Sequence, residues 1–512
     1  MSTSSRIVKN TGFLYMRMGL TLFVSLYSTR LILASLGEVD FGIFNVIGGS
    51  IAMMGFLNST LANATQRFMS YAEGKGDDQN KTKIFNISLI LHVIIAIATI
   101  VLLLAIMPLL FDKLLNIPNE RIFTAKFVYF SLIFSTVLTI INVPYDAVLN
   151  AHENMFYYAV IGVLESLLKL GIAFVCVYYD GNRLLIYSIF MAILPLITLS
   201  IMKVYCHKHY TECRLELKKS WDYSIVKSIA RFSGWNFLTA ISSLFTVQGL
   251  SVVLNHYFGT ILNAAQGIAN QVNGQLSSFS TNMMKALNPV IVKRIANADS
   301  ESVSTVTFSG SKFSAILILL FAVPVCLKME YLLSIWLEEV PQWTVAFCQL
   351  QLIQTVIVQM ANPLATAIYG NGDIKGYAIW KSFMNIMPVL LSICAFTFKG
   401  SPIWLYISLI LFMGIGGDIV ISYFAKIKCD LSPKLFIWNV VFPVIGISMV
   451  MILLGIIFNR IVSNENLLTL LVCCIATTLG LIISLSIFGL TKLEKSTIKA
   501  LVLSTVNKLF KN

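Results

Sequence analysis

The chain has 512 residues, of which 57% are hydrophobic and only 12% charged, with a mean hydropathy of +0.81. That balance excludes a soluble globular protein and indicates a polytopic membrane protein. The net charge of +13, from 37 Lys and Arg against 24 Asp and Glu, does not mark a nucleic-acid binder. With a cytoplasmic N-terminus, about 25 of the cations fall in connections on that side and about 6 on the other, as positive-inside sorting requires.

Apolar stretches of about 20 residues recur along the whole chain, enough to cross a hydrocarbon layer of roughly 30 Å, and none alternates as the strand of a membrane barrel does. About 14 spans are predicted. They begin near Thr11, Phe41, Ile84, Ile122, Phe156, Leu184, Ile229, Leu262, Val306, Val345, Ala378, Ile403, Leu435 and Leu467. An even number leaves both termini in the cytoplasm. The expected fold is all-α, with two six-helix lobes in pseudo-two-fold arrangement and two added C-terminal helices. The boundaries are an N-lobe at 1–205, a cytoplasmic linker at 206–228, a C-lobe at 229–428, an extra membrane hairpin at 429–489 and a basic amphipathic tail at 490–512.

The first span follows Arg6 and Lys9 and reads as an uncleaved signal anchor. It carries a polar seam, Asn10, Arg17, Thr21, Ser25 and Ser28, whose spacings put these residues on one helical face. An Arg at mid-bilayer costs about 2.5–3.5 kcal/mol unless it faces water, protein or a ligand, so Arg17 is a functional candidate. Arg30 lies roughly 140° round the axis from it, near the outer end, where snorkelling to headgroups is expected. The second span adds Asn45, Ser59, Asn63, Gln66 and Arg67. In the fifth, Glu165 and Lys169 at i, i+4 spacing form either a structural ion pair or part of a ligand site. Asp146 and Asp418 lie near helix ends, where capping or tertiary contacts are expected.

The basic connection starting at Cys206 divides six spans from eight. Its CHKHYTEC run offers Cys206, His207, His209 and Cys213 but no CxxC or HxxxH arm, so no metal is expected there. The nine cysteines fall mostly in spans or cytoplasmic loops, which argues against a disulfide framework. A shift of 222 positions aligns Gly12 with Gly234, Leu22 and Phe23 with Leu244 and Phe245, and Gly37 with Gly259, the pattern a duplicated membrane unit would keep.

Polar residues concentrate in the opening hairpin of each half and in one more helix, the tenth. The seventh carries Asn236, Thr239, Ser243 and Thr246; the tenth carries Gln351, Thr355, Asn362, Thr366 and Tyr369. The eighth has a stripe, Gln266, Asn270, Asn273, Ser277, Thr281, Lys285 and Asn288, stepping by three or four residues and including an ammonium. Hydrogen bonding between helices, at roughly 0.6 kcal/mol each, would account for isolated hydroxyls. So long a stripe instead suits a water-filled cleft between two lobes. The candidate substrate-binding residues are therefore Arg17, Thr21, Ser25, Asn63, Arg67, Asn236, Gln266, Asn270, Asn273, Lys285 and Asn362, with Arg30, Lys169 and Glu165 in second rank.

The last two spans are apolar nearly all round and are expected to face lipid. Beyond them Lys492, Lys495, Lys499, Lys508 and Lys511 alternate with apolar residues, as in a basic helix on the cytoplasmic surface or a solvated tail. No GxxxxGK[ST] occurs: GKGDDQNKT, from Gly74, lacks the glycine before its Lys. Without HExxH, GxSxG or paired loop carboxylates, no enzyme activity is expected.

The opening RIVKNTGFLYMRMG with LGEVDFGIFNVI, the return RFSGWNFLTAISSL with FGTILNAAQGIANQV, and ALNPVIVKRIA together resemble Wzx-type O-antigen or capsule repeat-unit flippases of the MOP (multidrug/oligosaccharidyl-lipid/polysaccharide) exporter superfamily. The resemblance covers essentially the whole chain. It implies flipping of undecaprenyl-diphosphate-linked oligosaccharides from the inner to the outer leaflet of the bacterial inner membrane by alternating access. It also implies driving by membrane potential or a coupled Na+ or H+ and no other cofactor, with polysaccharide polymerase and glycosyltransferases as partners. Similarity to lipid II flippases implies that Leu435 to Phe488 form a groove for the polyprenyl tail, and maps cationic cavity residues onto Arg17, Arg30 and Lys285, although not every family arginine has an equivalent. A multidrug extruder of the same superfamily, expected to hold a carboxylate in its first-lobe cavity, and a polytopic polysaccharide polymerase are the alternatives.

Overall fold

A computed structural model describes residues 3–52, 55–114, 117–216, 219–337, 339–461, 466–491 and 494–496. Every long element is a helix, as a bilayer demands of a chain whose backbone groups must be satisfied internally. Twelve helices of the described residues are long and apolar enough to cross a membrane: α1 (Arg6–Gly37), α3 (Asp78–Asp112), α4 (Asn119–Ala151), α5 (Met155–Tyr178), α6 (Arg183–His209), α7 (Tyr223–Phe258), α9 (Glu301–Leu327), α10 (Thr344–Asn371), α11 (Lys375–Thr397), α12 (Trp404–Cys429), α13 (Pro433–Arg460) and α14 (Leu467–Gly489). A bent pair, α2, Val39–Ala52 and Leu57–Lys75 at 54° to each other, counts as a thirteenth if it is taken as one span. The expected fourteenth, α8 (Thr260–Ala296), has ample length, but its amides leave it less apolar than the twelve.

The chain divides into two compact units, Lys9–Phe237 and, together with Met1–Val8, Leu238 onward, so the main division falls inside α7. The aligned glycines have the same role in each. Gly37 joins α1 to α2 with φ 74° and ψ 170°, and Gly259 joins α7 to α8 with φ 78° and ψ −171°. That region of backbone space is essentially closed to residues with a Cβ.

In the first unit a core of Ile43, Ile47, Leu103, Tyr129 and Tyr187 packs between α1, α2, α3, α4 and α6, and the buried Tyr129 hydroxyl donates to Leu103 O at 2.7 Å. The connection after α6 is fixed to this unit. Asn86 Nδ2 donates to Arg214 O at 2.8 Å and Asn86 Oδ1 accepts from Glu216 N at 3.0 Å, while Lys83 pairs with Asp222 at 3.3 Å. His152, stacked on Tyr210 at 4.3 Å, sits between Glu212 at 2.5 Å and Glu73 at 3.3 Å, and Glu73 also pairs with Lys81 at 2.7 Å. Cys206 and Cys213 are buried near this cluster and His209 stacks on Tyr205.

In the second unit Leu250, Leu262, Phe347, Leu352 and Tyr406 form the core. The α13–α14 pair packs through small residues, as helices in lipid do. A Cβ on Gly480 would lie 3.2 Å from the Met451 backbone, and one on Gly446 would lie 2.8 Å from the Phe488 ring. Large apolar side chains such as Phe442, Met449, Leu453, Leu471 and Ile482 stay exposed on this pair, as lipid contact requires. The basic tail expected from residue 490 lies outside the described residues apart from 490–491 and 494–496.

Candidate functional site

In the first unit Arg17 is half-buried, with its guanidinium carbon 4.6 Å from the centroid of the Tyr158 ring. It lies directly over α5 because Gly162 leaves room: a Cβ there would fall 2.0 Å from Arg17 Nε. The guanidinium looks into a cavity of about 170 Å³ whose polar lining includes Asn142, Asp146, Tyr158, Glu165 and Thr198. Asn142 Nδ2 donates to Asp146 Oδ2 at 3.4 Å, and Asn142 Oδ1 is buried with no hydrogen-bond partner among the described residues. Glu165 is neutralised by Lys169 at 2.7 Å, the intrahelical pair that their spacing predicts. Counting that pair as zero, Arg17 and Asp146 leave the charged lining balanced.

A second cavity of about 230 Å³ adjoins through the shared Thr139 and is lined by Gly48, Asn58, Thr99, Ser135 and Thr136 among others. Asn58 Oδ1 and Thr99 Oγ1 are buried without partners among the described residues. Together the two cavities give the interior of this unit a polar seam along α4.

Of the residues predicted in this half, Arg17 and Glu165 line the cavity. Thr21 is tied to α5 by accepting from Ser166 Oγ at 3.1 Å, while Ser25 and Arg30 are exposed. Asn10 donates to Glu153 O at 3.0 Å. Arg67 does not line this cavity. Its guanidinium carbon stands 4.5, 4.9 and 5.9 Å from the rings of Phe68, Tyr71 and Phe232, an aromatic surround that suits a cation desolvated by packing. Asn236 is buried and donates to Thr60 O at 3.3 Å, so it serves as a bond between helices. Asn63 is exposed on α2 with Ser59 one turn away.

The stripe on α8 splits into two functions. Part of it joins helices. Gln266 Oε1 accepts from Ser251 Oγ of α7 at 2.8 Å, Asn273 Oδ1 accepts from Thr355 Oγ1 of α10 at 2.6 Å, and Asn288 Oδ1 accepts from Thr366 Oγ1 at 3.0 Å. Asn362 Nδ2 donates to Gln359 Oε1 at 2.7 Å, which also accepts from Ser280 Oγ at 3.0 Å, and Ser280 meets Ser314 of α9. The remainder faces outward: Asn270 is exposed together with Gln271, Gln275, Gly267 and Gly274, and Lys285 is half-buried. Exposed amides on a helix of this length call for polar surroundings beside them.

The second unit also holds an apolar groove of about 440 Å³ between α9, α10 and α13, lined by residues such as Val323, Cys326, Ile353, Ile357, Ile445 and Ile452.

Asp146 and Tyr158 are the principal cavity residues that sequence reasoning did not place there. Thr139, Asn142 and Asp146 step by three and four along α4, a pattern that could have flagged them. The carboxylates also change an expectation: the first two spans supply no acid to the cavity, but α4 and α5 do.

Neither a protein-family model nor any curated protein matches the chain. Solved structures do. The chain is 17% identical, with a TM-score of 0.71, to an outward-facing multidrug resistance MATE family transporter of the MOP superfamily, covering 83% of this chain and 95% of that one. It is 15% identical, at TM-score 0.69, to a MATE in the straight conformation, covering 83% and 96%. It is also 16% identical, at TM-score 0.70, to a MOP superfamily transporter from Pyrococcus furiosus Vc1 (DSM3638), whose binding pocket is described as of reverse polarity, suggesting a different function; coverage is 83% and 95%. The chain thus has the fold of MATE-type transporters of the MOP superfamily.

Proposed function

We propose that this protein is a flippase that moves undecaprenyl-diphosphate-linked oligosaccharide repeat units from the inner to the outer leaflet of a bacterial cytoplasmic membrane by alternating access. The single observation that carries the reading is Arg17, seated over Gly162 in the polar cavity of the first unit. A guanidinium binds phosphate through paired, charge-assisted hydrogen bonds. An extruder of organic cations gains nothing from a fixed cation in its pocket. In the Pyrococcus furiosus relative a pocket of reverse polarity suggests a different function, and Arg17 supports a similar departure here. The exposed amides of α8, Asn270, Gln271 and Gln275, offer donors and acceptors suited to sugar hydroxyls. The apolar groove, to which Ile445 and Ile452 of α13 contribute, suits a polyprenyl chain that stays at the lipid side.

Asp146 favours a second reading. A carboxylate in the same cavity is what export of an organic cation would use, so a multidrug extruder is the alternative.

Reconstitution decides between them. With a lipid-linked oligosaccharide, Arg17→Ala should slow flipping at least tenfold, which corresponds to about 1.4 kcal/mol, and Arg17→Lys should restore part of it. Unchanged flipping in both variants removes Arg17 from the site. Transport of an ethidium-like cation that is abolished by Asp146→Asn, in a protein that moves no oligosaccharide lipid, would establish the extruder instead.

A further inference from the structure

Lys312 of α9 has 2% of its side chain exposed and ranks among the largest fully buried side chains of the described residues. A buried ammonium needs a counter-ion. Its counter-ion comes from beyond the last span: Glu494 Oε2 lies 2.5 Å from Lys312 Nζ, and Glu494 is itself 8% exposed. Both carboxylate oxygens are engaged. Ser309 Oγ donates to Oε1 at 2.9 Å, and the Thr491 amide donates to Oε2 at 2.8 Å. Lys495 Nζ donates to Ser486 O at 2.6 Å, so the same segment is also secured to the end of α14.

α13 and α14 are packed together through glycine, with Gly480 on Met451 and Gly446 on Phe488, and so form one body. α9 and α13 form two walls of the apolar groove, with Leu319 and Val323 on the α9 side and Val444 and Ile445 on the α13 side. Leu319 is seven residues, about two helical turns, from Lys312. The ion pair therefore fastens the hairpin that bears one wall to the helix that bears the other, near one end of the groove. Buried ion pairs contribute little net stability compared with apolar packing, and their best attested use is to specify one arrangement over another.

We propose that the Glu494–Lys312 pair is a strap: it holds the α13–α14 hairpin to α9, and its release widens the groove to admit a lipid chain. The lipid chain as occupant rests on the flippase reading; the strap itself does not.

The test reads geometry and not transport, so its failure and the failure of that reading are distinguishable. Spin labels at Met449 of α13 and Ile353 of α10, both exposed, would report their separation in full-length protein in lipid nanodiscs. Wild type should give one short population. Glu494→Gln and Lys312→Gln should each add a longer one, and the exchange Lys312→Glu with Glu494→Lys should restore the short population while showing that the site tolerates substitution. An unchanged distance distribution in Glu494→Gln overturns the proposal, as does a long population that persists in a well-folded exchange variant.

Discussion

Arg17 was legible in the sequence because it breaks a rule: a cation in an apolar span has to be accounted for. Its partners were not. Tyr158 and Gly162 of α5 meet it and Asp146 of α4 lines the same cavity, and which faces of distant helices meet depends on their rotation, which hydropathy leaves open. Arg67 broke the same rule for a different reason, since three aromatic rings surround it. At the end of α4, His152 shows how a titratable residue can staple a connection. Burial alone would lower its pKa, but the Glu212 and Glu73 carboxylates on its two ring nitrogens override that and raise it to about 9. A group whose pKa rises on folding adds stability that is complete below its unfolded value near 6.5 and is lost as pH climbs through about 9. Thermal melting of the detergent-solubilised protein should therefore drop between pH 7 and pH 10, by on the order of 2 kcal/mol. His152→Gln should flatten that drop; an equal pH dependence in the variant would show that other groups cause it.

Among the elements, the spans were readable as spans because length and apolarity alone define them. α8 is the instructive exception, since the amides that mark it as special are what lower its hydropathy. Periodicity placed those amides on one face but could not divide them into helix-joining residues such as Asn273 and outward-facing ones such as Asn270, because the division follows from where α10 packs. The Gly37 and Gly259 alignment, in contrast, carried through from sequence to conformation, as the matching dihedrals show. A Cβ in that region costs on the order of 1–3 kcal/mol. Gly259→Ala should lower thermal stability by that amount, although nothing lies within 4 Å of the added methyl. An unaltered melting temperature would mean that the α7–α8 joint relaxes freely into another conformation.

For the molecule as a whole, the absence of a phosphate-binding loop in the sequence and the proposed anionic cargo together bear on energy supply. An inside-negative potential favours outward movement of an anion by about 2.3 kcal/mol per charge per 100 mV. Vesicles with symmetric ions and no potential should only equilibrate lipid-linked oligosaccharide between leaflets, and an imposed potential or ion gradient should produce net accumulation without nucleotide. Full accumulation that appears only on adding ATP would refute this.

The polar face of α8 carries a consequence for biogenesis. A translocon sorts segments by their partition into lipid, and on such scales buried polar groups weigh against release. In α8 the side chains of Asn273, Ser280 and Asn288 find partners on α10 in Thr355, Gln359 and Thr366, which are synthesised some eighty residues later. Its partners on α10 are thus made only after it, and its stable integration is expected to be completed when α10 enters the membrane.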